Sequence, residues 1–227
     1  MIRLSVKKLK QGMIIAQSIY NNHGASYLVK GQPITDSYIN SLQKLGIPTI
    51  TVTSSDPSFQ LPPAEDVIQE STRINAIAKI YDTFGNVVET GHMDVDALQN
   101  ISEQIIFDII DRKENLVQLT DIRLHDTYTF GHSVNVAVLS AMLGLLCHYT
   151  KKELVLLTLG ALLHDLGKIN IPVSILTKNK GLREEEFNLI KKHPLDGARR
   201  IMSMQHSLPS PSVLAAVASA AQDTRGD

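Results

Sequence analysis

The stretch Ala161-Leu162-Leu163-His164-Asp165-Leu166-Gly167-Lys168 decides how this chain is read. An adjacent His-Asp pair closes an apolar helix, with a Gly-Lys just behind it. Imidazole and carboxylate both ligate divalent cations, and burying them together is costly unless a cation satisfies them. His132 lies 32 positions upstream, in Tyr128-Thr129-Phe130-Gly131-His132-Ser133. His193 lies 29 positions downstream, in Lys191-Lys192-His193-Pro194. Three helix-borne elements of this kind predict a metal site assembled between helices.

The helix that carries the pair opens at Thr150-Lys151-Lys152-Glu153, a capping box in which Thr150 and Glu153 satisfy free amides reciprocally. Its apolar pattern is read from Leu154 to Lys168, ending near Gly167, and Pro172 prevents continuation. On such a helix His164 and Lys168 are four apart and Asp165 and Lys168 three apart, so all three project to one side. In a two-ion arrangement with ions about 4 Å apart, a carboxylate bridges both and imidazoles cap each. Asp165 fits the bridging role, and His132, His164 and His193 fit terminal ligands. Lys168 suits an electrostatic clamp on phosphate; its ordinary reading is a lysine favoured by the helix dipole. Glu184 to Lys192 reads as a further helix, and Pro194 disfavours helical geometry at His193.

Other candidates carry plainer readings. His125-Asp126 is a second His-Asp dipeptide in a polar stretch, where Asp126 serves as a helix cap. His23, His92, His148 and His206 have no partner at useful spacing and read as surface residues. Ala137, Ala141 and Gly144 are small residues suited to close helix packing, Arg199-Arg200 a solvated face, and Glu184-Glu185-Glu186 a helix opening.

The chain has 227 residues, 43% of them hydrophobic, with 22 Lys and Arg against 23 Asp and Glu. That balance argues against a nucleic-acid polymer or an anionic membrane as partner, and a small anionic substrate would need a locally positive site such as a metal. Val134 to Cys147 is the most apolar segment. It is interrupted by Asn135, Ser140 and Gly144 and falls short of the ~18 to 20 residues that span a bilayer. The N-terminus has no apolar core of signal-peptide length. The single Cys147 reads as packing in an apolar helix, and a cytoplasmic location is expected.

Residues 1–53 read as a small α+β unit. Met13-Ile14-Ile15-Ala16 and Tyr27-Leu28-Val29 flank the polar loop Asn21-Asn22-His23-Gly24 as a hairpin. Thr35 to Leu45 reads as a short helix, followed by the β-branched strand Thr49-Ile50-Thr51-Val52. Residues 54–118 read as a linker, rich in proline from Ser54 to Ala64, and connecting helices; residues 119–227 read as a helical domain. The fold class is mostly α, with a small α+β unit at the start.

Several separated motifs now agree with one family. Asp126-Thr127-Tyr128-Thr129 with His132-Ser133, then His164-Asp165-Leu166-Gly167-Lys168-Ile169 with Ile171-Pro172, resemble the HD-GYP branch of the HD-domain metal-dependent phosphohydrolases. Ile175-Leu176-Thr177-Lys178, Leu182 with Glu185-Glu186, and Lys191-Lys192-His193-Pro194 with Gly197 continue the match in order, over about 119 to 201. The strand-rich start resembles a segment that often precedes this domain. The resemblance implies an all-helical bundle that hydrolyses cyclic di-GMP with iron or manganese ions, in bacterial signalling. It implies His132, His164, Asp165 and His193 as metal ligands, with Lys168 and Asp165 as catalytic residues. Some members carry an acidic residue four before the first histidine and hold a third ion; Tyr128 stands there, so two ions are expected.

The family pattern continues with His-His-Glu-x-x-Asp-Gly, a Gly-Tyr-Pro loop and a later aspartate. Here the equivalent region reads Ala220-Ala221-Gln222-Asp223-Thr224-Arg225-Gly226-Asp227 and ends, with Asp223 as its nearest substitute ligand. The expected bundle is therefore incomplete, truncated before the GYP motif by a gene truncation or a shifted reading frame. Two functions stay open: a cyclic di-GMP phosphodiesterase, or a catalytically inactive sensor or interaction module of the same fold, as a homodimer or with a signalling protein. An HD-type hydrolase acting on other nucleotides is a third.

Overall fold

The computed structural model describes residues 2–16, 18–20, 26–44, 47, 49–53, 67–111, 130–176, 178, 181–204, 209–210 and 214–215. The proline-rich linker, His23, His125-Asp126, Tyr128, His206 and Asp223 lie outside the described residues. The chain divides into two compact units, residues 1–65 and 66–227.

In the first unit the order is β1 (Ile2–Ser5), β2 (Ile19–Tyr20), β3 (Ser26–Leu28), α1 (Asp36–Lys44) and β4 (Thr49–Val52). β1 pairs antiparallel with β4, Ile2 opposite Val52 and Ser5 opposite Thr49. Alternation along β4 buries Ile50 and Val52 against Leu28, Ile34 and Leu42. α1 begins where expected because the Thr35 hydroxyl accepts from the Tyr38 amide at 3.3 Å. The hairpin differs from the sequence reading. The strand opposite β3 is Ile19–Tyr20, whereas Ile14 and Ile15 make only single bridges, to Pro33 and Val52. An apolar run reads equally as strand or as core-filling loop, and Ile15 is fully buried in this second role.

The second unit is helical: α2 (Glu70–Glu89), α3 (Val95–Asp111), α4 (Gly131–Leu146), α5 (Lys151–Leu162), α6 (Val173–Leu176), α7 (Glu184–Lys191) and α8 (His193–Ser203), with a 3-10 turn at Leu166–Asn170. Residues 70–111, read as connecting helices, pack within this unit: α2 against α3 and α4, α3 against α5. Ile80, Leu98, Ile105, Val134, Met142 and Leu162 fill its core. A buried hydrogen bond from Arg73 to the Asn135 carboxamide oxygen (2.7 Å) ties α2 to α4. The Asp108 carboxylate on α3 accepts from the Gln69 amide at the start of α2 (2.9 Å). Among the described residues, no helix is long and apolar enough to cross a membrane.

α4 and α5 form a close helical hairpin, as the small residues of α4 suggest. A Cβ at Gly144 would stand 2.8 Å from a Leu154 methyl carbon. Cys147 is not core packing, however. It caps the C-terminus of α4 and is exposed, because the connection to α5 starts there. His92 and His148 are exposed, as read.

The capping box of α5 is present, with Thr150 Oγ1 accepting from the Glu153 amide and Glu153 Oε2 accepting from the Thr150 amide at 2.8 Å. These hydrogen bonds to Thr150 hold the Glu153 carboxyl below its ordinary value. Thr150→Ala is expected to lower the melting temperature by about 2–4 °C, as for one lost cap in a chain of this size; differential scanning calorimetry reads it. The far end of α5 departs from the sequence reading. The helix stops at Leu162, Leu163 to Asp165 turn, and the 3-10 segment follows.

α7 opens on Glu186, whose side chain accepts from the Arg183 amide at 2.8 Å and pairs with Lys178 and Arg183. These bonds, that from Lys178 first, lower the Glu186 carboxyl to about 2. A carboxyl depressed on folding stabilises above its unfolded value and loses that contribution as pH falls through its folded value. The stability difference between wild type and Glu186→Gln is therefore expected to shrink from about pH 5 towards about pH 2. Chemical denaturation at stepped pH checks it, and a constant difference would contradict it.

Candidate metal centre

His132, His164, Asp165, Lys168 and His193 arrive from three places. His132 is the second residue of α4, and Ser133 beside it is buried. His164 and Asp165 occupy the turn after α5, and Lys168 the 3-10 segment. His193 opens α8, with Pro194 in its first turn, where a missing N–H leaves no bond unmade. The expectation of non-helical geometry at His193 is thus corrected: the proline starts the helix.

One close backbone crossing brings α8 to the turn. A Cβ on Gly167 would press on the His193 carbonyl and stand 2.6 Å from the Gly197 amide nitrogen. Gly197 in turn lies against the Gly167 amide, so two glycines let the 3-10 turn and α8 touch backbone to backbone. Gly197 appeared in the sequence only as a motif match. Its pairing with Gly167, 30 positions away, has no local signature.

The donor atoms converge. Ligand atoms of His132, His164 and Asp165 lie within 4.8 Å of one another. The His132 and His164 rings meet edge to face, with centroids 5.2 Å apart. Asp165 Oδ1 is approached by His164 Nε2 at 3.4 Å and by His193 Nε2 at 3.5 Å. Lys168 Nζ donates to the other oxygen, Oδ2, at 2.8 Å. The sequence reading put this lysine on the same helix as the pair. The structure reaches the same contact through the tighter 3-10 turn, where residues three apart eclipse.

Tautomers follow from the carbonyls. His164 Nδ1 is 2.8 Å from the Ala161 carbonyl oxygen, and His193 Nδ1 is 2.6 Å from that of Ile190. A carbonyl only accepts, so each Nδ1 carries a proton and each ring turns its Nε2 towards Asp165. His164 and His193 are buried, and His193 Nε2 is fully enclosed without a hydrogen-bond partner. With both rings neutral, two Nε2 lone pairs aimed at a carboxylate oxygen repel unless a cation lies among them. The residues present fit a divalent ion, because each imidazole is already oriented and its other nitrogen anchored, as in metal-ligating histidines generally.

Electrostatics point the same way. Burial pushes the His164 imidazole below its ordinary value, against the pull of Asp165, and keeps a lone pair available near neutral pH. Burial also raises the Asp165 carboxyl, but His193, His164 and Lys168 together outweigh it and hold the group far below the usual range. Lys168 occupies Oδ2, while Oδ1 faces His164 and His193.

The cluster opens onto a cleft of about 680 Å³. His132, Asp165 and Lys168 lie on its floor, with Tyr81, Phe84 and Phe130 among its apolar walls. Phe130 sits edge-on to both Tyr81 (5.6 Å) and Phe84 (5.2 Å), tying α2 to the start of α4. Sequence reasoning assigned α2 no part in the site. Its apolar period was visible, but its position beside His132 was not.

Residues 129–225 match the family model described as the HD domain, a span that contains all five residues. Over that span, which is less than half of the chain, the sequence is similar to the HD domain. A cyclic di-GMP phosphodiesterase of Pseudomonas aeruginosa is 30% identical over 118 residues, covering 52% of this chain and 27% of that protein. The cyclic di-GMP phosphodiesterase PdeB of Borreliella burgdorferi is 40% identical over 73 residues, 32% of this chain and 19% of its own. The chain thus spans under a third of the length of these relatives. A solved HD-GYP protein from Bdellovibrio bacteriovorus superposes with a TM-score of 0.50 at 19% identity, covering 97% of this chain and 85% of its own. The fold is shared with that protein.

Proposed function

We propose that the HD domain of this chain is a metal-dependent phosphohydrolase that opens a phosphodiester of cyclic di-GMP. His132, His164, Asp165 and His193 hold the metal, as an iron or manganese pair. The observation that carries the reading is Asp165 Oδ1, faced by the Nε2 atoms of two imidazoles whose rings are locked by the Ala161 and Ile190 carbonyls. A bound divalent pair would neutralise charge on the phosphoryl oxygen and acidify the attacking water. Asp165 keeps its negative charge throughout the working pH range and fixes the Lys168 ammonium at the cleft floor. Lys168, partly exposed there, is placed to meet a non-bridging phosphate oxygen as negative charge grows on it. The cleft volume suits a small nucleotide ligand, and the names of the relatives support cyclic di-GMP. The exposed single thiol of Cys147 fits a reducing cytoplasm.

A second reading rests on the ligand count. Three imidazoles and one carboxylate complete the shell of a single tetrahedral ion, leaving no open position for chemistry. In that case the domain is a metal-holding sensor or interaction module without turnover. Anaerobic purification, metal analysis and a cyclic di-GMP hydrolysis assay separate the two. Two ions per chain with turnover that vanishes in His164→Ala supports the enzyme; one ion without turnover supports the sensor. Protein free of any divalent metal rejects the enzyme, and metal-free protein that still binds a partner supports the interaction module.

A further inference from the structure

One wall of the cleft comes from α2, a helix upstream of the residues matched to the HD model. Asp82, Asn86 and Glu89 recur along it at helical spacing, so they share a stripe, and all three are exposed on the cleft. Among the described residues, Asp82 and Glu89 make no ion pair and the Asn86 carboxamide no hydrogen bond. Carboxylates repel phosphate, so in a cleft meant for a phosphodiester they face some other part of the ligand. Beside them Tyr81 and Phe130 line the cleft, their rings in edge contact with each other. Between them Gly85 lines the cleft without a side chain, and a Cβ there would meet open space. Aromatic rings and hydrogen-bond acceptors on one open cleft wall together fit a purine better than a sugar or a phosphate.

We propose that α2 is the base-selecting wall of this site, its Asp82–Asn86–Glu89 stripe accepting the N–H donors of guanine. The Watson–Crick edge of guanine offers N1–H and N2–H side by side, which one carboxylate accepts together. Adenine turns an N1 lone pair to the same place, and a carboxylate rejects it. This assignment rests on the nucleotide reading above, and it locates guanine selectivity outside the residues that hold metal.

The test uses the full chain loaded with Mn(II), titrated calorimetrically with cyclic di-GMP and with cyclic di-AMP, and metal content measured on the same samples. Wild type is expected to prefer cyclic di-GMP by about tenfold or more, one well-made bidentate base contact. In Asp82→Asn/Glu89→Gln that preference falls towards one. Gly85→Leu, which puts a bulky side chain into the cleft from α2, weakens both nucleotides about tenfold. A preference unchanged in the double variant overturns the assignment, as does Mn(II)-loaded protein that binds neither nucleotide. Failure to take up Mn(II) overturns the metal reading instead, and the nucleotide preference is then read on the metal-free chain by the same criterion.

Discussion

Asp165→Ala is expected to cut Mn(II) affinity by more than about a hundredfold and to abolish any phosphodiester hydrolysis. A hundredfold is the upper range for losing merely an outer partner of a metal ligand, and Asp165 lies nearer than that. Its Oδ1 is the point at which the imidazoles of His164 and His193 meet, and its Oδ2 holds Lys168. Alanine therefore removes the charge that attracts the ion, the centre that orders two rings and the anchor of the lysine. The fold should survive, since no core side chain is lost, and melting of the metal-free protein should stay within a few degrees. Asp165→Asn separates charge from shape: its amide donates to one imidazole lone pair and satisfies it, so metal-free stability is retained while Mn(II) binding is lost. Manganese binding by either variant at wild-type affinity would contradict the ligand assignment.

Gly167→Ala is expected to break the centre without altering any donor atom. The new methyl group meets the His193 carbonyl and the Gly197 amide, both backbone, and neither can yield as a side chain would. α8 must move outward, carrying His193 away from Asp165. Overpacking of this kind costs about 1–3 kcal/mol, so the variant should melt several degrees lower and bind Mn(II) more weakly. Gly181→Ala is the control, because a Cβ there meets nothing within 4 Å. Equal melting temperatures and equal metal affinity in the two variants would show that the crossing is not what seats His193.

How far the sequence reveals this arrangement depends on the range of the interactions. The capping box at Thr150 and Glu153 is written in four consecutive residues and occurs as read. The His-Asp pair and its two distant histidines were legible because buried imidazoles and carboxylates have few purposes, and the structure brings His164 and His193 to Asp165 Oδ1 and His132 within 4.8 Å of the His-Asp pair. The end of α5 was not legible. Apolar spacing continues through Leu166, but Leu163 to Asp165 leave the helix and aim the pair inwards. Likewise, the crossing of Gly167 with Gly197 and the docking of α2 beside His132 are contacts between distant segments, and no periodicity encodes them. Ile15 shows the reverse error, a β-branched run that fills a core from a loop.

The position of Cys147 offers a ruler for the metal. It is the chain's single cysteine, exposed at the far end of the rod that begins beside His132. Fifteen residues of helix separate the two, about 22 Å at 1.5 Å per residue. A nitroxide attached to that thiol would sense paramagnetic manganese at a known separation, and magnetic resonance could then count and locate the ions without altering a ligand.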